Sequence, residues 1–502
     1  MKILCLGNNT EDTDVVTRKL AQSNSMRCHG LLSELKNPIE AEQIKEPGYY
    51  HSSVYDIEFG RLVALAKMFD TLVMLNQPKK QYSHPDAFYK TVVLIKNLPN
   101  GIFLDPSFAI DVEFFEKLVD TNKSFCIFPF IELLTNQRSD GYTTLCCRTT
   151  APVAHISEIT NWKTNKNYNV IRENMINGVQ MPKYCSSCYK LEDKNILSAR
   201  KQETVEWANR LNLTSLEDLK TITHPAYYEI RPSNICNLQC RMCRPENSHL
   251  IGREYKKINL ISTIPAKERS DFDIVNFFNL KKLYVAGGEP TAMPEFYKFL
   301  DRCIQHKQTN FEFSINTNAT KLSERLKKQL KHFSNLQFIV SLDGLGPLNY
   351  YIRWPSDWSK IIENMHYLRK NNHIISTNVT VSIYNIIGLY DLLKFLDKEF
   401  PNMLIHLQSC TSDGDMLSPF NFPNSNLVLA QLLPIQDLNC YKNDRLLQSF
   451  VDGMITYYQT NSNIELEKLK LFFEFNDKLD KSRKIKLVDY APELEQTRII
   501  IL

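Results

Sequence analysis

Residues 228–243 read YEIRPSNICNLQCRMC: a β-rich start at Tyr228, then Cys236-x3-Cys240-x2-Cys243 on one short loop. Three thiols this close call for a metal-based explanation. Structural zinc is normally closed by four ligands, commonly as close Cys or Cys/His pairs. Three thiolates on one loop suit a [4Fe–4S] cube in which the protein holds three irons and the fourth is open to a small chelator. A zinc site or three unrelated core thiols are the plainer alternatives.

The rest of the composition sets the background. A length of 502 residues corresponds to about three domains. A hydrophobic fraction of 43% and a charged fraction of 23% are ordinary for a globular chain with a sizeable core. Disorder and low-complexity linkers are excluded. A net charge of +4, from 60 basic and 56 acidic residues, leaves no electrostatic footprint for nucleic acid or an anionic membrane. No apolar run approaches the ~18 residues of a spanning helix, and Met1–Asp12 does not read as a secretory signal. The expectation is a cytoplasmic protein in a reducing compartment, where its 13 cysteines serve as metal ligands or catalytic groups rather than disulfides.

Downstream of the cysteine loop the chain alternates strand and helix signals. Residues 281–296, KKLYVAGGEPTAMPEF, carry Gly287-Gly288, the only adjacent glycine pair among 15 glycines, between a β-rich run and a helix expected over 294–306. Glycines at a strand end permit positive φ or a close backbone approach; a plain strand-to-helix turn is the bland reading. Residues 311–320, FEFSINTNAT, read as a strand ending at Thr317-Asn318, followed by a helix over 322–331. Residues 336–344, LQFIVSLDG, read as a buried strand ending in Ser341 and Asp343, ahead of the YYIRWPSDW loop at 350–358. Strands over 376–383 and 403–409 complete about six β/α repeats after Tyr228. Such repeats predict a parallel, partly closed barrel with its chemistry at the strand C-terminal ends, where all these residues fall.

The cysteine loop resembles that of the radical S-adenosylmethionine (radical SAM) superfamily. Met242 is a mild departure at a position that is often aromatic there. The resemblance implies a [4Fe–4S] cluster on Cys236, Cys240 and Cys243. It would bind methionine's amino and carboxylate groups, reduce the sulfonium and generate a 5′-deoxyadenosyl radical. Gly287, Gly288 and Glu289 are similar to the family's GGE motif, with Glu289 accepting from the methionine ammonium. Thr317-Asn318 resembles a Thr-Asn-Gly stretch in which Asn318 contacts the ribose, although Ala319 replaces the Gly. The 350–358 stretch resembles the loop that carries an Arg to the SAM carboxylate, which makes Arg353 the candidate with Ser341 nearby. A surface ion pair is the other reading of Arg353.

Upstream, segments 124–134 and 142–148 read as two strands of a hairpin around Ser139-Asp140-Gly141. A helix is expected over 167–177, then YCSSCYKLE at 184–192. Cys126, Cys146, Cys185 and Cys188 have the count for a four-thiolate site, cluster or zinc alike. The Cys126-x14-Gly141-x4-Cys146 spacing resembles the opening of the SPASM/twitch module of auxiliary-cluster radical SAM enzymes. That likeness implies one auxiliary iron–sulfur cluster and selects Cys146 over Cys147. The module precedes the barrel here, as in a subset of twitch proteins.

The expected organisation is α/β: an N-terminal α/β accessory domain over 1–122, a β-hairpin auxiliary-cluster module over 123–225, a partial (β/α)6 TIM-like barrel over 226–410, and a helical extension over 411–502. In the first domain the predicted elements are strands at 2–7 and 70–75 and helices at 13–21 and 85–96; in the last, helices at 427–437, 444–460 and 466–479. The resemblance implies an enzyme that abstracts hydrogen from a peptide or small-molecule substrate, fed by an external flavodoxin- or ferredoxin-type electron donor. A non-catalytic iron–sulfur or zinc scaffold and a degenerate SAM-binding methyltransferase are the competing classes.

Overall fold

A computed structural model describes residues 113–135, 141–149, 151–159, 161–193, 198–263, 271–410, 415–461 and 465–501, together with five strands among the first 110 residues. The chain divides into two compact units, residues 1–130 with 169–223, and residues 131–168 with 224–502.

In the first unit, β1 (Lys2–Gly7), β2 (Leu31–Glu34), β3 (Gly48–Ser53), β4 (Thr71–Leu75) and β5 (Gly101–Leu104) form a parallel sheet in the order β2-β3-β1-β4-β5. Two of these strands, β1 and β4, match the sequence expectation. The helices expected over 13–21 and 85–96 lie outside the described residues. The helix Lys166–Ile176 matches the one expected over 167–177, and Cys185 and Cys188 sit on the helix Pro182–Glu192.

The second unit contains an eight-stranded sheet. It begins with β6 (Glu132–Thr135) and β7 (Thr143–Thr144), which pair antiparallel. The hairpin is much shorter than expected, because Phe128–Ile131 form a helical turn. Pro129, in the middle of the expected strand, has no N–H to donate to a ladder. The free edge of β6 pairs parallel with β8 (Tyr227–Ile230), so the hairpin extends the barrel sheet. Then follow β9 (Lys282–Val285), β10 (Glu312–Thr317), β11 (Leu336–Ser341), β12 (Ile374–Val381) and β13 (Leu404–Ser409). The order is β13-β12-β11-β10-β9-β8-β6-β7, parallel except for β7. The six expected β/α strands are all present, as an open, partial TIM-like barrel.

Alternation along these strands explains both faces of the sheet. Leu283, Val285, Phe313, Ile315, Phe338, Val340, Val379 and Val381 are buried on the outer face, beneath the connecting helices. There the Phe313 ring lies 6.2 Å from Phe296 and 6.4 Å from Phe299 of the helix Pro294–Gln305. The inner face is polar. Lys282 pairs with Glu312 at 3.0 Å. Ser314 donates to Gln337 at 3.2 Å, and Gln337 donates onward to Ser376 at 3.3 Å. Arg231, just past β8, pairs with Glu229. Hydrogen-bonded polar side chains line this face, as in barrels that take ligands rather than filling with aliphatic layers.

The C-terminal extension is helical, as expected. Asp444 caps the helix Arg445–Thr460 by accepting from the Leu446 and Leu447 N–H groups. The helix expected over 427–437 divides into Ser425–Leu432 and a 3-10 segment at Leu433–Asp437, at the point where Pro434 removes a donor. The last long helix, Leu466–Arg483, runs four residues past its expected end and stops at Lys484, which is left-handed at φ +58°. Among the described residues no helix is long and apolar enough to cross a membrane.

Candidate functional site

The cysteine loop leaves the C-terminal end of β8 and is pinned by its own backbone on three sides. Gln239 N–H donates to the Trp354 carbonyl at 2.6 Å and Arg241 N–H to Ile352 at 2.8 Å. The Ser248 hydroxyl donates to Leu238 O at 3.0 Å, and the Cys236 N–H to His249 Nδ1 at 3.2 Å. On the third side, Glu289 N–H donates to Ile235 O at 2.8 Å, which docks the Gly-Gly-Glu loop directly onto the cysteine loop.

That last contact explains the glycine pair. Gly287 and Gly288 have φ of +79° and +51°. A Cβ on Gly288 would lie 2.2 Å from Ile235 O and 2.9 Å from its carbonyl carbon. Only glycine allows the two loops to meet this closely.

Glu289 is fully buried, and four donors from its own chain surround it. Oε1 accepts from Thr291 N–H at 3.1 Å and from the Thr291 and Thr317 hydroxyls at 2.7 Å each; Oε2 accepts from Asn318 N–H at 2.6 Å. Burial raises its pKa, against the pull of these hydrogen bonds. The carboxylate thus ties the end of β9 to the end of β10. Asn318 continues the link: its Nδ2 donates to Asn237 Oδ1 at 2.9 Å, inside the cysteine loop, and its Oδ1 accepts from Thr320 N–H at 3.0 Å.

Ala319, where the resembling stretch has glycine, adopts the left-handed conformation at φ +54° and is buried. Three terms decide what glycine would change there. Relief of left-handed strain is worth about 1–2 kcal/mol. Against it stand a lost buried methyl at about 0.8 kcal/mol and added unfolded-chain freedom at about 0.5–1 kcal/mol. Ala319→Gly is therefore expected to leave the unfolding free energy within about 0.5 kcal/mol in a denaturant titration. Ala319→Val, β-branched at positive φ, is expected to destabilise by about 2 kcal/mol or more in the same measurement.

Ser341, at the end of β11, donates to Asn316 Oδ1 at 3.3 Å. Arg353 follows the short helix Pro347–Ile352. It is no surface ion pair: its Nε lies 2.5 Å from Asp343 Oδ2, with Asp343 wholly buried, and its Nη1 lies 3.8 Å from Cys240 Sγ. Asp343 is in turn held by the Thr380 N–H, which donates to Oδ1 at 2.7 Å. Sequence reading noted Asp343 only as a strand-end residue. Its pairing with Arg353 depends on a loop ten residues away folding back.

The thiols behave as a group. Burial pushes Cys236 up to about 12, with the neighbouring Cys240 adding to the rise. Burial also raises Cys240, opposed by Arg353, and raises Cys243 well above the ordinary thiol value, reinforced by Cys240 and Cys236. Among the described residues no three His, Cys, Asp or Glu side chains converge on a single-ion site. A cube takes each thiolate at a different iron, so its ligands ring a cluster instead of meeting at a point. Three thiolates on a loop this closely held fit a cluster with three protein ligands and leave a four-ligand structural zinc one ligand short.

Upstream, Cys126, Cys185 and Cys188 belong to the first unit, and Cys146 and Cys147 to the second. Burial raises the pKa of Cys126, with Cys185 and Cys188 close enough to add to it. Burial brings Cys185 to about 11. Cys147 is pushed to about 12 by burial and then by the carboxylates Glu229 and Glu132.

Residues 230–396 match the Radical SAM superfamily. That segment runs from the last residue of β8, through the cysteine loop, the Gly-Gly-Glu loop, Asn318, Ser341 and Arg353, into the helix Leu389–Glu399, and leaves out the upstream cysteines. Over 172 residues the chain is 25% identical to an uncharacterized protein of Methanocaldococcus jannaschii, covering 33% of this chain and 57% of that one. The chain thus spans little more than half the length of this curated relative. Among solved structures it is similar to SuiB of Streptococcus suis bound to S-adenosylmethionine, at 16% identity over 64% of this chain and 66% of SuiB, with a TM-score of 0.28. It is also similar to native anSMEcpe with bound AdoMet and Cp18Cys peptide, at 18% identity over 42% of this chain and 58% of that one, with a TM-score of 0.30.

Arg241, between the second and third cysteines of the matched segment, has no role in the sequence reading beyond filling a variable position of the loop. In the fold it is fully buried. Its one sequence-level trace lies far away, as a carboxylate (Asp480) in the last turn of a helix, where the dipole disfavours negative charge.

Proposed function

We propose that the protein is a radical SAM enzyme, with Cys236, Cys240 and Cys243 holding three irons of a [4Fe–4S] cluster. The observation that carries this is the docking of Gly288 on Ile235 O, which brings the glycine pair and the cysteine loop together at neighbouring strand ends. When bound, the cluster supplies the electron that cleaves SAM to methionine and a 5′-deoxyadenosyl radical, the species that takes hydrogen from a substrate C–H bond.

The chain's own residues position the cosubstrate. Glu289 receives the methionine ammonium through Oε2, which among the described residues accepts one hydrogen bond, from Asn318 N–H. Arg353, held by Asp343, presents Nη2 to the carboxylate; among the described residues this nitrogen has no hydrogen-bond partner. Asn318 and Ser341 line the ribose side. The polar inner face of the barrel suits a hydrophilic substrate, a peptide or a polar small molecule, better than a hydrocarbon. An external flavodoxin- or ferredoxin-type donor in the cytoplasm completes the reading, and the upstream cysteines hold an auxiliary iron–sulfur cluster.

Anaerobic reconstitution is the test. About eight irons per chain are expected if both clusters assemble and about four if only the first does. With SAM and a reductant the loaded protein is expected to form 5′-deoxyadenosine. A scaffold binds iron and forms none. Transfer of labelled methyl from SAM without 5′-deoxyadenosine marks a methyltransferase instead. Zinc at the upstream cysteines after oxygen-free purification removes the auxiliary cluster and leaves the core reading standing.

A further inference from the structure

We infer that the C-terminal helix Leu466–Arg483 is a positioning element for the cysteine loop, latched to it through Arg241; the inference rests on the radical SAM reading above.

Arg241 lies inside the ligand loop, one residue after Cys240 and two before Cys243. Its guanidinium reaches three acceptors at once. Nε donates to Tyr351 O at 2.9 Å, Nη1 to Asn476 Oδ1 at 2.8 Å and Nη2 to Asp480 Oδ1 at 2.5 Å. The Tyr351 ring lies flat beneath it, 3.6 Å from the guanidinium carbon to the ring centroid. The helix residues are locked in turn. Tyr351 Oη donates its one proton to Asp480 Oδ1 at 2.9 Å, with Asn476 Oδ1 also near at 3.0 Å, and Tyr384 Oη donates to Asn476 Oδ1 at 3.0 Å. Asp480 Oδ2 accepts the Leu487 N–H at 2.8 Å, which fixes the turn after the helix.

A second buried clamp lies beside the first. Arg483 donates to both oxygens of Glu254, at 3.0 and 2.6 Å, and Gln239 Nε2 donates to Glu254 Oε2 at 3.1 Å. Residues on both sides of Cys240 are therefore tied to the same helix, more than 220 residues downstream. A buried ion pair is a poor device for stability alone, since apolar residues of similar volume do as well or better. Its strength is geometry. The planar fork of an arginine sets direction and distance together, as a point-charge lysine cannot. Arg241 and Asp480 touch no reacting atom; they act through Cys240 and Cys243.

The test uses the full chain, reconstituted anaerobically, with Arg241→Lys, Asp480→Asn and the milder Tyr351→Phe. The readouts are the electron paramagnetic resonance (EPR) spectrum of the reduced cluster with and without SAM, 5′-deoxyadenosine formation, and the melting curve. Arg241→Lys and Asp480→Asn are expected to lower 5′-deoxyadenosine formation by about 10- to 100-fold and to change the SAM-induced spectral shift. Leu471→Ser, on the exposed side of the same helix, is expected to change neither. Variants that melt earlier but keep the spectral shift and cleave SAM within about twofold of the unaltered protein overturn the inference. Where Arg241→Lys and Asp480→Asn fail to fold, Tyr351→Phe decides, since it removes one hydroxyl and keeps the ring under Arg241. An unaltered protein that loads no cluster on the three cysteines overturns the radical SAM reading and this inference together. One that cleaves SAM alongside equally active variants overturns this inference alone.

Discussion

Gly288→Ala is expected to separate the two loops on which the site is built. At φ +51° an L side chain already costs about 1–2 kcal/mol. The added methyl would lie 2.2 Å from the Ile235 carbonyl oxygen, a backbone atom that no rotamer change can move away. Overpacking of this kind typically costs a further 1–3 kcal/mol. The sum is about 2–5 kcal/mol, unless the Glu289 N–H···O=C Ile235 bond is given up and the loops part. In either case the denaturation midpoint falls and iron loading at Cys236, Cys240 and Cys243 falls with it. Gly453→Ala is the matched control. Gly453 lies within the helix Arg445–Thr460 with open space around it, so alanine there is expected to stabilise by about 0.5–1 kcal/mol. A Gly288→Ala protein with an unchanged midpoint and full iron content would contradict the docking described here.

Cys240→Ala is expected to reduce 5′-deoxyadenosine formation to background, with one full cluster's iron lost per chain. Loss of groups that merely orient metal ligands costs about 10- to 100-fold, and removing a ligand itself costs more. Here the effect is compounded, because Cys240 is also the sulfur that Arg353 approaches at 3.8 Å, so its loss disturbs the pair that holds Arg353 in place. The fold itself is expected to stand, since the loop backbone is held by Trp354, Ile352 and Glu289 independently of any thiol. Chromatographic assay of SAM products, alongside circular dichroism, separates the two outcomes. SAM cleavage at an undiminished rate in this variant would sink the radical SAM reading.

Much of the barrel was legible because its information is local. Strands β9 to β13 alternate apolar and polar residues with period two, and their helices carry clear start and stop signals. The hairpin forms but is shorter than the sequence suggests, for an equally local reason: Pro129 sits inside an apolar run that otherwise reads as strand. That β6 would add to the barrel edge could not be read at all, since nothing in Glu132–Thr135 names Tyr227–Glu229 as its partner.

What the sequence by itself determined are the features set by spacing along one segment. These are three thiols on one loop, the glycine pair after a strand, and polar residues at successive strand ends. Only the tertiary structure decided the pairs that join distant segments: Glu289 with Thr317 and Asn318, Arg353 with Asp343, and Arg241 with Asp480. Each is a buried charge or carboxylate whose desolvation must be met by whichever donors the fold brings within about 3 Å. Spacing shows that such a group exists. The partner that makes its burial tolerable is chosen by packing.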